Sequence, residues 1–285
     1  MTNRFVRTLG AFALFGGVLL GASPSFAGGT SVFATPDCSL NDNGWCLGGA
    51  DMAGYASAIT NPTNFGAGGV VSTAISIQQL SAVNASTLAG ANVFVAPWWE
   101  NSESASSTTA VLNFFHSGGS LFLLDDDSAH DGIGAALGLP TSGSTGSPSN
   151  GNSALTNGPF GVATNITQEG DVGFLDEATV LADGGKIGST NAEGQVTSAY
   201  WAPGAFGAGD GALVILADVD MISSAYGNVS YSPLNGNGIF ALNTTAFLTS
   251  SAVPEPFAWT MMLAGFAMVG GMMRLSNRKR APAVA

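Results

Sequence analysis

The chain has 285 residues, 46% of them hydrophobic and only 9% charged, with a formal net charge of −12. A soluble cytosolic domain is about 25% charged, and 40 glycines exclude a helical bundle and favour a loop-rich α/β or β protein. The charge is unevenly placed: residues 28–253 carry 18 acids and a single base, Lys186, so this region cannot neutralise phosphates. Nucleic acid is thereby excluded as a partner, and anionic lipid is disfavoured.

The two ends read as addresses. Arg4 and Arg7 precede an apolar run from Leu9 to Leu20, and the small residues Ser25 and Ala27 precede Gly28. That is the pattern of a secretory signal peptide over residues 1–27, cut between Ala27 and Gly28. At the other end Pro254-Glu255-Pro256 is followed by Trp259, an apolar run, and the basic residues Arg274, Arg278, Lys279 and Arg280. Phe257 to Met273 is 17 residues, the short end of a bilayer span. The basic cluster behind it holds its end in the cytoplasm. Residues 251–285 therefore read as a C-terminal anchor, with the body outside.

These C-terminal residues, with Met261-Met262-Leu263 and Gly265-Phe266, resemble the PEP-CTERM sorting signal in its variant with Trp after the second Pro. Thr260 stands where that family usually has Ala. The resemblance implies an exosortase, a membrane-embedded cysteine protease, as processing partner. It also implies a transient stay in the inner membrane, and a Gram-negative host that makes exopolysaccharide. Final residence is then the cell surface or the extracellular space.

Cys38 and Cys46 are the only cysteines. Outside the cytoplasm such a lone pair reads as a structural disulfide.

Within 28–250 the elements come in this order. Ser31–Ala34 is a short strand, Asp51–Thr60 a helix, Val70–Ala74 a strand, and Ser76–Leu88 a run of short helical pieces. Ala91–Pro97 is a buried strand, Ser104–His116 a helix closed by Gly118-Gly119, and Ser120–Leu124 a second buried strand. Ile133–Leu139 is a short helix, 140–152 a flexible Ser/Gly/Thr loop, Ala212–Ala217 a third buried strand, and Gly238–Leu248 a closing helix. Phe160 to Gly211 is Gly-rich and reads as a β-rich excursion. Apolar strands alternating with helices predict an α/β domain with a mostly parallel sheet covered on both faces.

The order of Leu88–Pro97, Phe115–Asp125, Gly211–Asp218 and Asn237–Asn243 resembles the class I glutamine amidotransferase-like superfamily, in an uncharacterised branch. That implies a three-layer flavodoxin-like domain. Catalytic members carry a Cys nucleophile in a strand-to-helix elbow. Here the elbow reads Pro97-Trp98-Trp99-Glu100, without Cys, so the resemblance extends to the fold and not to the chemistry.

Asp125, Asp126, Asp127 and Asp131 follow one buried strand, and Asp218 and Asp220 follow another. Carboxylates at the carboxyl ends of parallel strands can converge on a hard cation such as Ca²⁺. They can equally be solvated strand ends and helix N-caps. His130 beside them could serve as a general base, whereas His116 reads as the cap of a helix end. Gly132 to Gly138 has phosphate-loop-like spacing, but lacks the tight turn from the strand. Trp98, Trp99, Tyr200, Trp201, Tyr226 and Tyr231 place aromatics near strand ends, where they could hold a sugar ring or be partly buried. The functional expectation is an exported, non-enzymatic surface or matrix protein associated with exopolysaccharide. Two alternatives stand beside it: a metal-dependent hydrolase centred on Asp125–Asp131, and a Ca²⁺-stabilised adhesive module.

Overall fold

A computed structural model describes residues 29–40, 45–99, 103–145, 151–153, 155–169, 171–226, 228–229 and 234–250. The expected leader and its Ala27–Gly28 cut lie outside these residues, as do Pro254, Glu255, Pro256, Trp259, the span 257–273 and the basic tail. Among the described residues no helix is long and apolar enough to cross a membrane.

The first half runs β1 (Thr30–Pro36), α1 (Ala53–Thr60), β2 (Ala74–Leu80), β3 (Val93–Pro97), α2 (Ala105–His116), β4 (Ser120–Leu124), α3 (Gly132–Ala136) and β5 (Thr141–Thr145). A small hairpin of β6 (Asn157–Gly158) and β7 (Gly161–Val162) follows. Then come β8 (Asp171–Leu175), α4 (Glu177–Ala182), β9 (Lys186–Thr190), β10 (Val196–Trp201), β11 (Leu213–Leu216), a 3₁₀ turn at Val219–Ile222 and α5 (Gly236–Ser250).

Among the described residues, nine strands share one sheet in the order β2-β1-β3-β4-β11-β10-β8-β5, with β9 also on β10. The five strands from β2 to β11 are parallel to one another. From β11 outward the pairing turns antiparallel. The protein is thus a mixed α/β fold with a large sheet whose strands run mostly one way.

The central strands are buried on both faces, which is why they read as unbroken apolar runs. Val93, Val95, Phe122, Leu124, Val214 and Leu216 face a core with α1 and α5, through Tyr55, Ile59, Phe240 and Leu242. Phe94, Ala96, Leu121, Leu123, Leu213 and Ile215 face a second core with α2, α3 and α4, through Val111, Phe115, Ile133 and Val180. The ends of α2 follow from its sequence. The Ser104 hydroxyl accepts from the Ser107 N–H at 3.2 Å. At the other end Gly118, at φ +97°, lets the Gly119 N–H reach back to the Phe114 carbonyl at 3.0 Å.

Three expectations are corrected. The strand lies at Ala74–Leu80, not Val70–Ala74, and replaces the helical pieces expected from Ser76. The reason is pairing: all seven of its residues lie in register with β1. The segment expected as the flexible loop 140–152 supplies β5, paired over five residues with β8, so it is an edge of the sheet. Its residues 146–150 lie outside the described set. The Gly-rich stretch does supply the extra strands, β8 to β10.

Candidate functional site

In the parallel half of the sheet β1 lies beside β3, while β2 and β4 flank them on opposite sides. The chain thus winds both ways from the centre, and the crevice outside the carboxyl ends of such strands is where open α/β sheets bind ligands. Four loop ends meet along this edge.

After β1, Cys38 and Cys46 are joined in a disulfide with Cα atoms 5.3 Å apart. This loop delivers Trp45. After β3, Trp98 sits at φ +50°, in the left-handed region that a bulky side chain rarely adopts. Its N–H donates to the Leu124 carbonyl at 2.8 Å, so the ladder with β4 holds it there. After β4 comes the acidic run with His130, and after β11 come the 3₁₀ turn and Tyr226.

The rings form a row across these loops. Tyr226 stacks on Trp45 with centroids 6.1 Å apart and planes 18° from parallel. Trp45 meets Trp98 edge-on at 6.0 Å. Trp98 lies against His130 at 4.3 Å. His130 Nδ1 is 2.9 Å from an Asp127 carboxylate oxygen. Tyr226 is exposed, and Trp45, Trp98 and His130 are half-buried. Along the same edge, toward α2, Pro36, Ser81, Asn84, Trp99 and Ser104 help line a polar groove of about 390 Å³.

The six predicted ligand carboxylates do not converge on a metal. Asp126 accepts from the Val219 N–H at 2.7 Å. Asp131 accepts from the Thr141 N–H at 2.8 Å, and Asp127 from the Ala129 N–H at 2.7 Å. Asp218 accepts from the Glu169 and Asp220 N–H groups at 3.0 and 2.7 Å. Among the described residues no group of three or more His, Cys, Asp or Glu is gathered to hold a metal ion. The expected cation centre at Asp125, Asp126, Asp127, Asp131, Asp218 and Asp220 is therefore corrected. Backbone N–H groups hold Asp126, Asp127, Asp131 and Asp218 in separate directions.

Asp125 differs from these four: it is fully buried and neither carboxyl oxygen has a partner. Burial, then the neighbouring Asp131 and Asp126, pushes its pKa well above the usual range. Asp125 also explains part of the glycine run: a Cβ on Gly134 would lie 2.7 Å from its Oδ2. Gly134 serves packing, and no phosphate role is needed for it. Burial, then Asp126 and Asp220, likewise raises Asp218 well above its usual value. Asp220 is pushed up to about 7, by burial and then by Glu169 and Asp51, against a lowering hydrogen bond from Ser223. Asp127 goes the other way: burial raises it, but the Ala129 N–H and His130 outweigh that and hold it low.

His116, the last residue of α2, has Nδ1 3.0 Å from an Asp210 oxygen, at the opposite edge of the sheet. Tyr200 and Trp201 lie buried in β10, away from the loop ends, and Tyr231 and Glu100 lie outside the described residues. Sequence reasoning missed Trp45, Asp51, Glu169 and Ser223. Nothing in their spacing marks them: Trp45 and Asp51 come from the loop after β1, Glu169 from the segment before β8 and Ser223 from the turn after β11.

No protein family matches the chain, and no curated protein matches it. Among solved structures it is similar to the mmIFT52 N-terminal domain, at 11% identity and a TM-score of 0.52, over 79% of this chain and 99% of that one. It also matches a putative ThuA-like protein from Bacteroides uniformis at 10% identity and a TM-score of 0.45, over 80% of this chain and 93% of that one. A cold-adapted β-galactosidase from Rahnella matches at 12% identity and a TM-score of 0.41, over 64% of this chain and 25% of that one. The first likeness bears on the fold alone.

Proposed function

We propose that the chain is an exported surface or matrix protein that contacts exopolysaccharide through its row of aromatic rings and performs no catalysis. The observation that carries this reading is the row Tyr226–Trp45–Trp98–His130 across four loop ends at the switch point of the sheet. Ring faces flanked by carboxylates and an imidazole are a chemistry suited to pyranose rings. The segment after β3 reads Pro97-Trp98-Trp99-Glu100 with no Cys, and the strand order fits a flavodoxin-like sheet. The paired cysteines fit an oxidising compartment. In this reading an exosortase cuts near Pro254-Glu255-Pro256 and frees the body from the inner membrane. This reading is preferred to the metal-dependent hydrolase and the Ca²⁺-stabilised module because no group of three or more acids or histidines is gathered for a metal ion among the described residues.

Two measurements test it in an exopolysaccharide-producing host. The mature protein co-sediments with the host's polysaccharide, and Tyr226→Ala weakens this at least fivefold. Pro254→Ala with Pro256→Ala leaves the unprocessed chain in the membrane fraction. Co-sedimentation unaffected by removing Tyr226 and Trp45 together would sink the aromatic reading. Normal processing of the tail variant would sink the sorting one.

A further inference from the structure

Among the described residues the sheet ends on one side at β2. The direction of its backbone groups follows from the bonds at its two ends. The Ala74 N–H donates to the Gly29 carbonyl at 3.2 Å, and the Leu80 carbonyl accepts from the Asp37 N–H at 2.9 Å. Backbone groups of a strand turn to alternate sides, so Ala74, Ser76, Gln78 and Leu80 bond β1. Ile75, Ile77 and Gln79 then turn their N–H and C=O groups outward. No described residue outside β2 hydrogen-bonds these outward groups.

An outer strand is ordinarily guarded by charge, proline or a bulge. β2 has none of these: it holds no charged residue and no proline, and it keeps unbroken register with β1 over all seven residues. Residues 52–99 contain no Asp, Glu, Lys, Arg or His, although residues 28–253 carry −17. This end of the sheet is therefore a face on which two copies meet without bringing like charges together. Ser76, Gln78 and Gln79 are exposed, and so is Val70 just ahead of β2. A charged partner finds nothing here to pair with. The outward groups are also symmetric about Ile77. A second copy laid antiparallel across a twofold axis at Ile77 pairs the two Ile77 residues with each other, and Ile75 of each copy with Gln79 of the other. Every outward N–H and C=O group of both strands is then met.

We infer that β2 is a self-association strand, through which two copies of this chain join antiparallel about Ile77 into one continuous sheet. The consequence for the aromatic row follows from strand direction. The rings lie beyond the carboxyl ends of the parallel strands, and β2 runs the same way as these. An antiparallel join turns the carboxyl ends of the two copies to opposite sides. The dimer then carries its two aromatic rows facing away from each other. On the glycan reading above, on which this last step alone rests, it bridges two polysaccharide chains and does not grip one chain twice.

In this register Ser76 of each copy lies opposite Gln78 of the other, and both are exposed, which supplies the test. Full chains bearing Ser76→Cys and Gln78→Cys are co-expressed in the host and treated with a mild thiol oxidant. A disulfide-linked dimer forms when both are present and not with either alone. Sedimentation equilibrium of the full chain in density-matched detergent micelles gives a dimer. Ser76→Glu with Gln78→Glu weakens it by about tenfold. Ser76→Lys with Gln78→Lys does the same, although it lowers the negative charge of the body. Ser76→Glu with Gln78→Lys leaves it at least as tight as wild type. Absence of the mixed cross-link, a dimer indifferent to these charges, or masses that climb past two copies would overturn the twofold pairing. Bridging is read separately. Wild type gathers the host's polysaccharide into aggregates that pellet at low speed, while the chain with both Glu substitutions co-sediments with it only at high speed. Equal aggregation by the two would overturn the bridging arrangement. Failure of wild type to co-sediment at any speed would sink the glycan reading, and the cross-link then decides the dimer on its own.

Discussion

Replacing Asp220 by Asn gives a direct reading of the acidic edge. In the folded chain this carboxyl is raised from 3.8 to about 7, by burial and by Glu169 and Asp51. The folded state therefore binds a proton that the unfolded state releases. The contribution of this group to stability is full below pH 4 and is lost as pH rises through about 7. A shift of about three units corresponds to about 4 kcal/mol, and solvent screening near the rim reduces it to roughly 2–4 kcal/mol. Asn keeps the shape and has no proton to lose. Asp125, also raised, is present in both proteins and cancels in the comparison. Asp218, which feels Asp220, ionises more easily in the variant and adds to the same sign. Thermal melts of wild type and Asp220→Asn from pH 4 to 9, at fixed ionic strength, should coincide at pH 4. By pH 8 the variant should melt about 5–15 °C higher, at about 2–4 °C per kcal/mol for a body of this size. Parallel curves across that range, or a variant that loses ground as pH rises, would refute the reasoning.

Other perturbations test the frame that holds the edge. A Cβ on Gly211 would lie 2.0 Å from the Gly119 carbonyl oxygen, a backbone atom that cannot swing aside. Gly211→Ala should therefore cost about 3 kcal/mol in urea unfolding, and a loss under 1 kcal/mol would contradict that packing. Ser104→Ala removes the hydroxyl that caps α2 and should cost about 1 kcal/mol in the same assay. Cys38→Ser opens a loop of sequence separation 8 and should cost about 2–3 kcal/mol in the chain-entropy view, with no change when the wild type is already reduced.

The parallel half of the sheet was legible because its strands are buried on both faces and so written almost wholly in apolar residues. Val93–Pro97 and Ser120–Leu124 stand out for that reason. The antiparallel half hid behind polar residues that are nonetheless buried. Ser189 hydrogen-bonds both Thr197 and Ser198 at 2.7 Å, so β9 and β10 bury hydroxyls against each other and their apolar pattern is broken. Thr141–Thr145 reads as a loop because an edge strand of small polar residues gets its order from its partner β8 and not from its own composition.

The same division runs through the site. That acids collect at the carboxyl ends of β4 and β11 is visible in the chain order. What they do there depends on N–H groups that arrive from far away: Val219 for Asp126, Glu169 for Asp218. A carboxylate met by two backbone donors is a structural brace, whereas one met by none is a demand for a ligand or a proton. Asp218 is the first kind, Asp125 the proton-holding second, and Asp220 lies between them, with one oxygen buried and unmet. Local sequence shows an identical side chain in all three places, and only the fold distinguishes them. Aromatic residues divide in the same way. Trp201 is buried in β10 with its indole N–H on the Asp183 carbonyl, while Tyr226 stands in solvent against Trp45. In the chain both are single aromatic residues near a strand end, and only the partners each meets in the fold tell them apart.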